Sequence, residues 1–207
     1  RFITDSSMAS ELPSIPDSNF VGVFGSKNSA TGAGYARIDS IASSGASSSV
    51  SFGSGDGQLS FGTRMLTTST GCTTANNKYF GFFNAEAAGI YTSMSTYLYV
   101  GYKGDTNEWI AGARADSGTA ETVTTAATGN VFADLRFDIT GGPGGVGRAG
   151  EFFVDGASIG TITDAAIPIG YSTAKNMYMA FQMKFACMEY IWVDYVWWRY
   201  VPANSRD

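Results

Sequence analysis

Asp134-Leu135-Arg136-Phe137-Asp138-Ile139 alternates charged and apolar residues with a strict period of two. Successive side chains of an extended chain point to opposite sides. Leu135, Phe137 and Ile139 therefore share one face, and Asp134, Arg136 and Asp138 share the other. One apolar face and one charged face are what an antiparallel strand needs when it packs on a core and leaves its back to solvent. The rhythm returns at Met177, Met179, Phe181, Met183 and Phe185, interleaved with Tyr178, Ala180, Gln182 and Lys184.

Working outward, the same reading predicts strands over 19–25, 35–42, 58–68, 79–84, 89–93, 96–103, 108–114, 121–125, 150–154, 158–163 and 189–201. Gly, Asn, Asp and Ser clusters separate them, as turns require. Asp155-Gly156, between Glu-Phe-Phe-Val and Ser-Ile-Gly-Thr-Ile, predicts a tight hairpin, because both residues tolerate positive φ. About a dozen strands with no amphipathic helix imply an all-β chain folded as a two-sheet antiparallel sandwich. Residues 19–201 form one such domain in this reading. Residues 1–18, with Pro13 and Pro16, are an extended arm, and 202–207 are a tail.

Composition narrows the function. The 207 residues are 44% hydrophobic and 14% aromatic, too apolar for disorder. There is no histidine, so the commonest general base and metal ligand is missing, and Ser-His-Asp and Cys-His nucleophile schemes are excluded. Net charge is −5, and the 13 basic residues form no stripe, which argues against nucleic acid as a partner. No apolar run approaches the roughly 20 residues of a membrane-spanning helix. The chain opens at Arg1 rather than methionine and shows no secretory signal, which points to a segment upstream. Cys72 and Cys187 read as two independent thiols, with a long-range disulfide as the alternative, and they are too few for a zinc site.

The short motifs resolve to ordinary structure. Gly145-Val-Gly-Arg-Ala-Gly150 matches a dinucleotide fingerprint, but it precedes a strand where the motif needs a helix. Ser172-Thr-Ala-Lys175 has neither the helix nor the companion motifs of a serine–lysine pair. Asp105 and Asn107 in the 103–108 turn fall short of the six to eight oxygens of a calcium site. A retaining glycosidase needs two carboxylates about 5 Å apart, which Glu-x-Asp spacing supplies on one strand. None of Glu11, Glu86, Glu108, Glu121, Glu151 and Glu189 has an acidic residue two positions on. The expectation is therefore no catalytic residue, no metal and no cofactor.

Aromatic residues carry the positive signal. In Glu189-Tyr-Ile-Trp-Val-Asp-Tyr-Val-Trp-Trp-Arg-Tyr-Val201, strict alternation places Ile191, Val193, Tyr195 and Trp197 on one face. Tyr190, Trp192, Val196, Trp198 and Tyr200 fall on the other. With both faces aromatic, the strand is expected to be covered on both sides, by its own chain or by a neighbour. Tyr190, Trp192, Trp198 and Tyr200 are the expected interface anchors. Tyr97, Tyr99 and Trp109 form a second group that could stack on sugar rings.

Leu-Arg-Phe-Asp-Ile, Gly-Glu-Phe-Phe-Val-Asp-Gly-Ala-Ser-Ile-Gly-Thr, Met-Tyr-Met-Ala-Phe-Gln and the terminal Val193-Asp194-Tyr195-Val196 together resemble the concanavalin A-like lectin/glucanase jelly roll. The resemblance is clear over about residues 130–200 and rests on strand rhythm before that. The Glu-x-Asp-x-x-Glu of its laminarinase-type branch and the Asp/Asn metal set of its legume-type lectins are absent, so neither activity carries over. Sandwiches of this kind without catalytic residues occur in bacteriophage virions and as sugar-binding modules. The resemblance, with the His-free composition and the Pro-containing arm, implies a non-enzymatic virion protein for capsid decoration or for the tail. It would form a homo-oligomer, a trimer, and contact other virion proteins. The alternatives are an extracellular carbohydrate-binding module contacting cell-surface glycan, and a divergent β-sandwich glycosidase.

Overall fold

A computed structural model describes residues 2–4, 24–27, 32–38, 50–52, 57–66, 77–84, 94–116, 118–129, 131–141, 148–168, 175–185 and 190–201, apart from single positions within them. The strands are β1 (Phe2–Thr4), β2 (Phe24–Lys27), β3 (Gly32–Ile38), β4 (Val50–Phe52), β5 (Gln58–Leu66), β6 (Asn77–Phe83) and β7 (Tyr97–Lys103). They continue with β8 (Glu108–Arg114), β9 (Glu121–Ala126), β10 (Phe132–Thr140), β11 (Ala149–Val154), β12 (Ala157–Ile162), β13 (Lys175–Phe185) and β14 (Tyr190–Val201). One short 3-10 turn spans Asp164–Ala166. The two cysteines, the segment 145–147 of the glycine motif, Ser172–Ala174 and the expected strand at 89–93 lie outside the described residues.

The strands form two antiparallel sheets, one with the order β1-β3-β13-β6-β7-β8-β9 and β4 added on β13, the other with the order β12-β11-β10-β5-β14-β2. They pack face to face as a sandwich, the all-β jelly-roll architecture that the alternation predicts. β1 belongs to the segment expected as an arm, and it pairs with β3 through Phe2–Thr4 opposite Ala36–Ile38. The Asp155-Gly156 hairpin forms as expected, both residues having positive φ (49° and 81°).

The founding stretch of the sequence reading sits at the centre of the smaller sheet. β10 pairs with β5 over its whole length, from Phe132 opposite Leu66 to Thr140 opposite Gln58. Leu135, Phe137 and Ile139 are buried, and Asp134, Arg136 and Asp138 are turned outward and half-buried. Phe61 of β5 meets Phe80 and Phe82 of β6 across the sandwich and its neighbour Phe137 of β10 in the same sheet, all edge to face, with ring centroids 6.2, 5.3 and 5.7 Å apart. These contacts put the electropositive edge of one ring on the face of another and tie both sheets to one residue.

Two margins of the sheets are joined directly. A carboxylate oxygen of Glu121 on β9 accepts a hydrogen bond from the Thr163 amide at 2.8 Å, and the other accepts one from its hydroxyl at 2.5 Å. A Cβ on Gly160 of β12 would lie 3.0 Å from Val123 Cγ1, so the two edge strands approach closely where a glycine leaves room.

Candidate functional site

β14 departs from strict alternation at one residue. Val193 stands opposite Met65 and Tyr195 opposite Arg64, so Asp194 is an extra residue with no partner of its own on β5. Such a bulge moves every later side chain to the other face. Trp198 then stands opposite Phe61 and Tyr200 opposite Leu59, both on the core side, while Tyr195, Trp197 and Arg199 point outward. The expected pairing of Trp192 with Trp198 and Tyr200 on one face is corrected accordingly. Trp192 is opposite Leu66 on the outward side. Tyr200 packs against the core, and Trp198, 41% exposed, meets Phe82 edge to face at 6.2 Å. The side chain of Tyr190 lies outside the described residues.

The expected sugar-stacking group does not form a platform. Trp109 is opposite Tyr102 in the register and faces the core between the sheets, its ring 5.6 Å from the Tyr102 ring. Tyr97 and Tyr99 point from the opposite face of the same sheet and are buried in a second cluster with Tyr79, Phe83, Met94 and Ile110. Tyr99 lies across Gly112, where a Cβ would fall 2.3 Å from its ring. The three residues are therefore split between two faces and all are buried, though the edge of Trp109 reaches the wall of an open groove of about 260 Å³ beside Thr125, Phe132 and Ile159.

Exposed aromatic surface appears instead on the outward face of the six-stranded sheet. Tyr195 and Trp197 are 43% and 36% exposed. The register sets Phe153, Arg136, Gly62 and Trp197 in one row across β11, β10, β5 and β14. Gly62 presents no side chain, and the Trp197 indole leans over it. A Cβ at Gly62 would lie 3.0 Å from Trp197 Nε1 and 2.3 Å from the Leu135 carbonyl oxygen. At the other end of the row, the Arg136 guanidinium stacks 3.9 Å over the Phe153 ring. Between them is an open groove of about 170 Å³ lined by Asp134, Leu135, Arg136, Phe153, Gly156, Tyr195 and Trp197.

Charged groups frame this row on both sides. Above it, the Tyr195 hydroxyl donates to Asp134 Oδ1, and Arg64 Nη1 donates to Asp194 Oδ2 at 3.2 Å. The bond to Asp134, reinforced by burial and the carboxylate's charge, pushes the Tyr195 hydroxyl up to about 12. Below it, Arg136 Nε lies 3.1 Å from Asp138 Oδ2, an ion pair without hydrogen-bond alignment. Asp134 itself is held in place, since its amide donates to Asp155 Oδ1 at 2.9 Å and its carbonyl accepts from the Asp155 amide at 2.8 Å. The hairpin turn thus fixes the carboxylate that the groove presents. Asp134 and Asp138 are four residues apart on one strand, about 13 Å, too far to flank one glycosidic bond. Among the described residues, no three acidic or cysteine groups gather to hold a metal ion.

Sequence reasoning did not single out Gly62 or Phe153, and it placed Arg136 on the charged face of its strand without joining it to Trp197, because a row across four strands is defined by register and not by spacing along the chain. The signal it could have used is Asp194, a poor strand former in the middle of an aromatic strand.

No family model matches the chain, and no curated protein matches it in sequence. Its likeness is to solved structures. An endo-β-1,4-glucuronan lyase from the fungus Trichoderma reesei superposes with a TM-score of 0.53 at 10% identity, over 96% of this chain and 89% of that one. The legume lectin-like domain from Entamoeba histolytica gives 0.49 at 10% identity, over 98% and 90%. An endo-1,3-β-glucanase from Streptomyces sioyaensis gives 0.48 at 14% identity, over 87% and 70%. The shared feature is the concanavalin A-like sandwich. The likeness to the lyase also corrects one expectation: the sequence reading expects a non-enzymatic protein, with a divergent glycosidase only as an alternative, but a polysaccharide-cleaving enzyme is built on a similar sandwich, so the fold gives no ground for preferring a non-enzyme.

Proposed function

We propose that the chain binds polysaccharide, in the manner of a lectin, on the outward face of its six-stranded sheet. The observation that carries this reading is the row Phe153–Arg136–Gly62–Trp197. A sugar ring offers an apolar C–H face and a rim of hydroxyls. An exposed indole beside a residue with no side chain accepts the first, and fixed carboxylate and guanidinium groups accept and donate to the second. An open groove of this size, below the several hundred Å³ typical of an enclosing pocket, suits a chain lying across the sheet. The lectin-like and glycan-cleaving neighbours favour this over the virion role, for which neither the fold nor the comparisons offer support. The same holds for a trimer, and the aromatic anchors proposed for it point to both faces of β14.

Affinity electrophoresis through gels containing neutral and acidic polysaccharides tests the reading. Wild-type protein is retarded by at least one of them. Trp197→Ala loses at least about tenfold in affinity while its melting temperature stays put, because the ring contributes to a surface and not to the core. A variant that is retarded as strongly as wild type would sink the assignment of this face. Incubating the same mixtures and assaying reducing ends separates binding from cleavage.

A further inference from the structure

We infer that the polysaccharide taken by this face is uncharged; the inference rests on the binding reading above and adds the ligand's class. Among the described residues, the outward rows through and beside the groove carry four carboxylates, Asp134, Asp138, Asp194 and Glu151. They stand against three guanidinium groups, Arg64, Arg136 and Arg199. On a chain of net charge −5, that leaves no positive potential to draw an acidic polymer.

The arrangement of these charges matters more than their number. Two of the three cations already have acids. Arg64 bonds Asp194 at 3.2 Å, and Arg136 lies 3.1 Å from Asp138 while its guanidinium stays stacked on Phe153. A uronate carboxylate bound by either would have to share the guanidinium with a protein carboxylate already beside it, setting two like charges next to each other. Arg199 stands one row below the groove, opposite Ser60, and does not line it. The acid that does line the groove is Asp134, whose Oδ1 takes the Tyr195 hydroxyl. Its second oxygen is left to accept a hydrogen bond from a ligand. A sugar hydroxyl donates such a bond, whereas an ionised uronate carboxylate only accepts and would set its charge against that of Asp134.

Isothermal titration of the whole chain against a neutral β-glucan (laminarin) and two uronans (alginate and polygalacturonate) tests this. The neutral glucan binds, and its affinity changes less than about twofold between ~0.05 and ~0.5 M salt, since no ion pair to the ligand is being screened. The uronans bind at least about tenfold more weakly. Asp134→Asn, which keeps an oxygen for the Tyr195 hydroxyl, weakens glucan binding about tenfold by replacing a charged acceptor with a neutral one. Tighter binding of a uronan that falls with salt and is lost in Arg199→Ala would overturn the inference and leave the binding reading standing. Binding of none of the three would overturn both.

Discussion

Gly62 shows how one absent side chain shapes a surface. Any Cβ there would collide with the Leu135 carbonyl oxygen, which belongs to the neighbouring strand and cannot swing away. Gly62→Ala is therefore expected to lower stability by about 1–3 kcal/mol in urea unfolding, through overpacking, and to displace the Trp197 ring. Tyr195 makes a second prediction. Its neutral phenol is the form that donates to Asp134, and its folded value of about 12 lies above the ordinary 10.0. A raised value means that the contribution is complete below pH 10 and is lost as pH climbs through 12. Wild type should melt higher than Tyr195→Phe at neutral pH. That margin should close between pH 10 and 12 in thermal melts followed by circular dichroism. A margin independent of pH would mean that the hydroxyl contributes nothing through Asp134.

At the scale of the element, β14 separates what alternation can say from what it cannot. β10 reads correctly because its two faces differ in chemistry, so any slip in register would bury Asp134 or Arg136. In β14 both faces are aromatic, and the sequence pattern is equally satisfied with or without a bulge. Only the partner strand decides. Phe61 and Leu59 draw Trp198 and Tyr200 inward, and the bulge at Asp194 permits it. The grouping of Tyr97, Tyr99 and Trp109 fails for a similar reason, because parity along two neighbouring strands says nothing about which residues stand opposite. Removing Asp194 makes Val193 opposite Met65 and Tyr195 opposite Arg64 consecutive pairs, so the bulge closes while Trp197 stays outward and Trp198 stays on the core side. Its deletion should therefore keep a single cooperative transition in urea unfolding, whereas inserting a second residue beside it would reverse the faces of Trp197 and Trp198 and abolish that transition. Asp194→Gly, which keeps the residue count and loses only the exposed pair with Arg64, should cost less than about 1 kcal/mol.

For the whole molecule, the sandwich was legible in the chain because burial, turn chemistry and period two all agree over most of its length. The proposed binding face was legible only in its parts. Arg136 and Asp134 stood out as charged, and Trp197 as one of four tryptophans, but the groove exists only once four strands are in register. The absence of histidine, which suggested that no chemistry happens here, bears on fewer mechanisms than it first seemed to, since surfaces that hold sugars rely on rings, carboxylates and guanidinium groups. The clamp of Glu121 on Thr163 has a mechanical meaning as well. Among the described strands, β9 and β12 are the outermost of their sheets, the places where a sandwich ordinarily begins to part. Sewn together, they act as the spine of a book. Any opening of the two leaves must start along the opposite margin and travel toward this seam, and the last pages to separate are the two that stand at the edge.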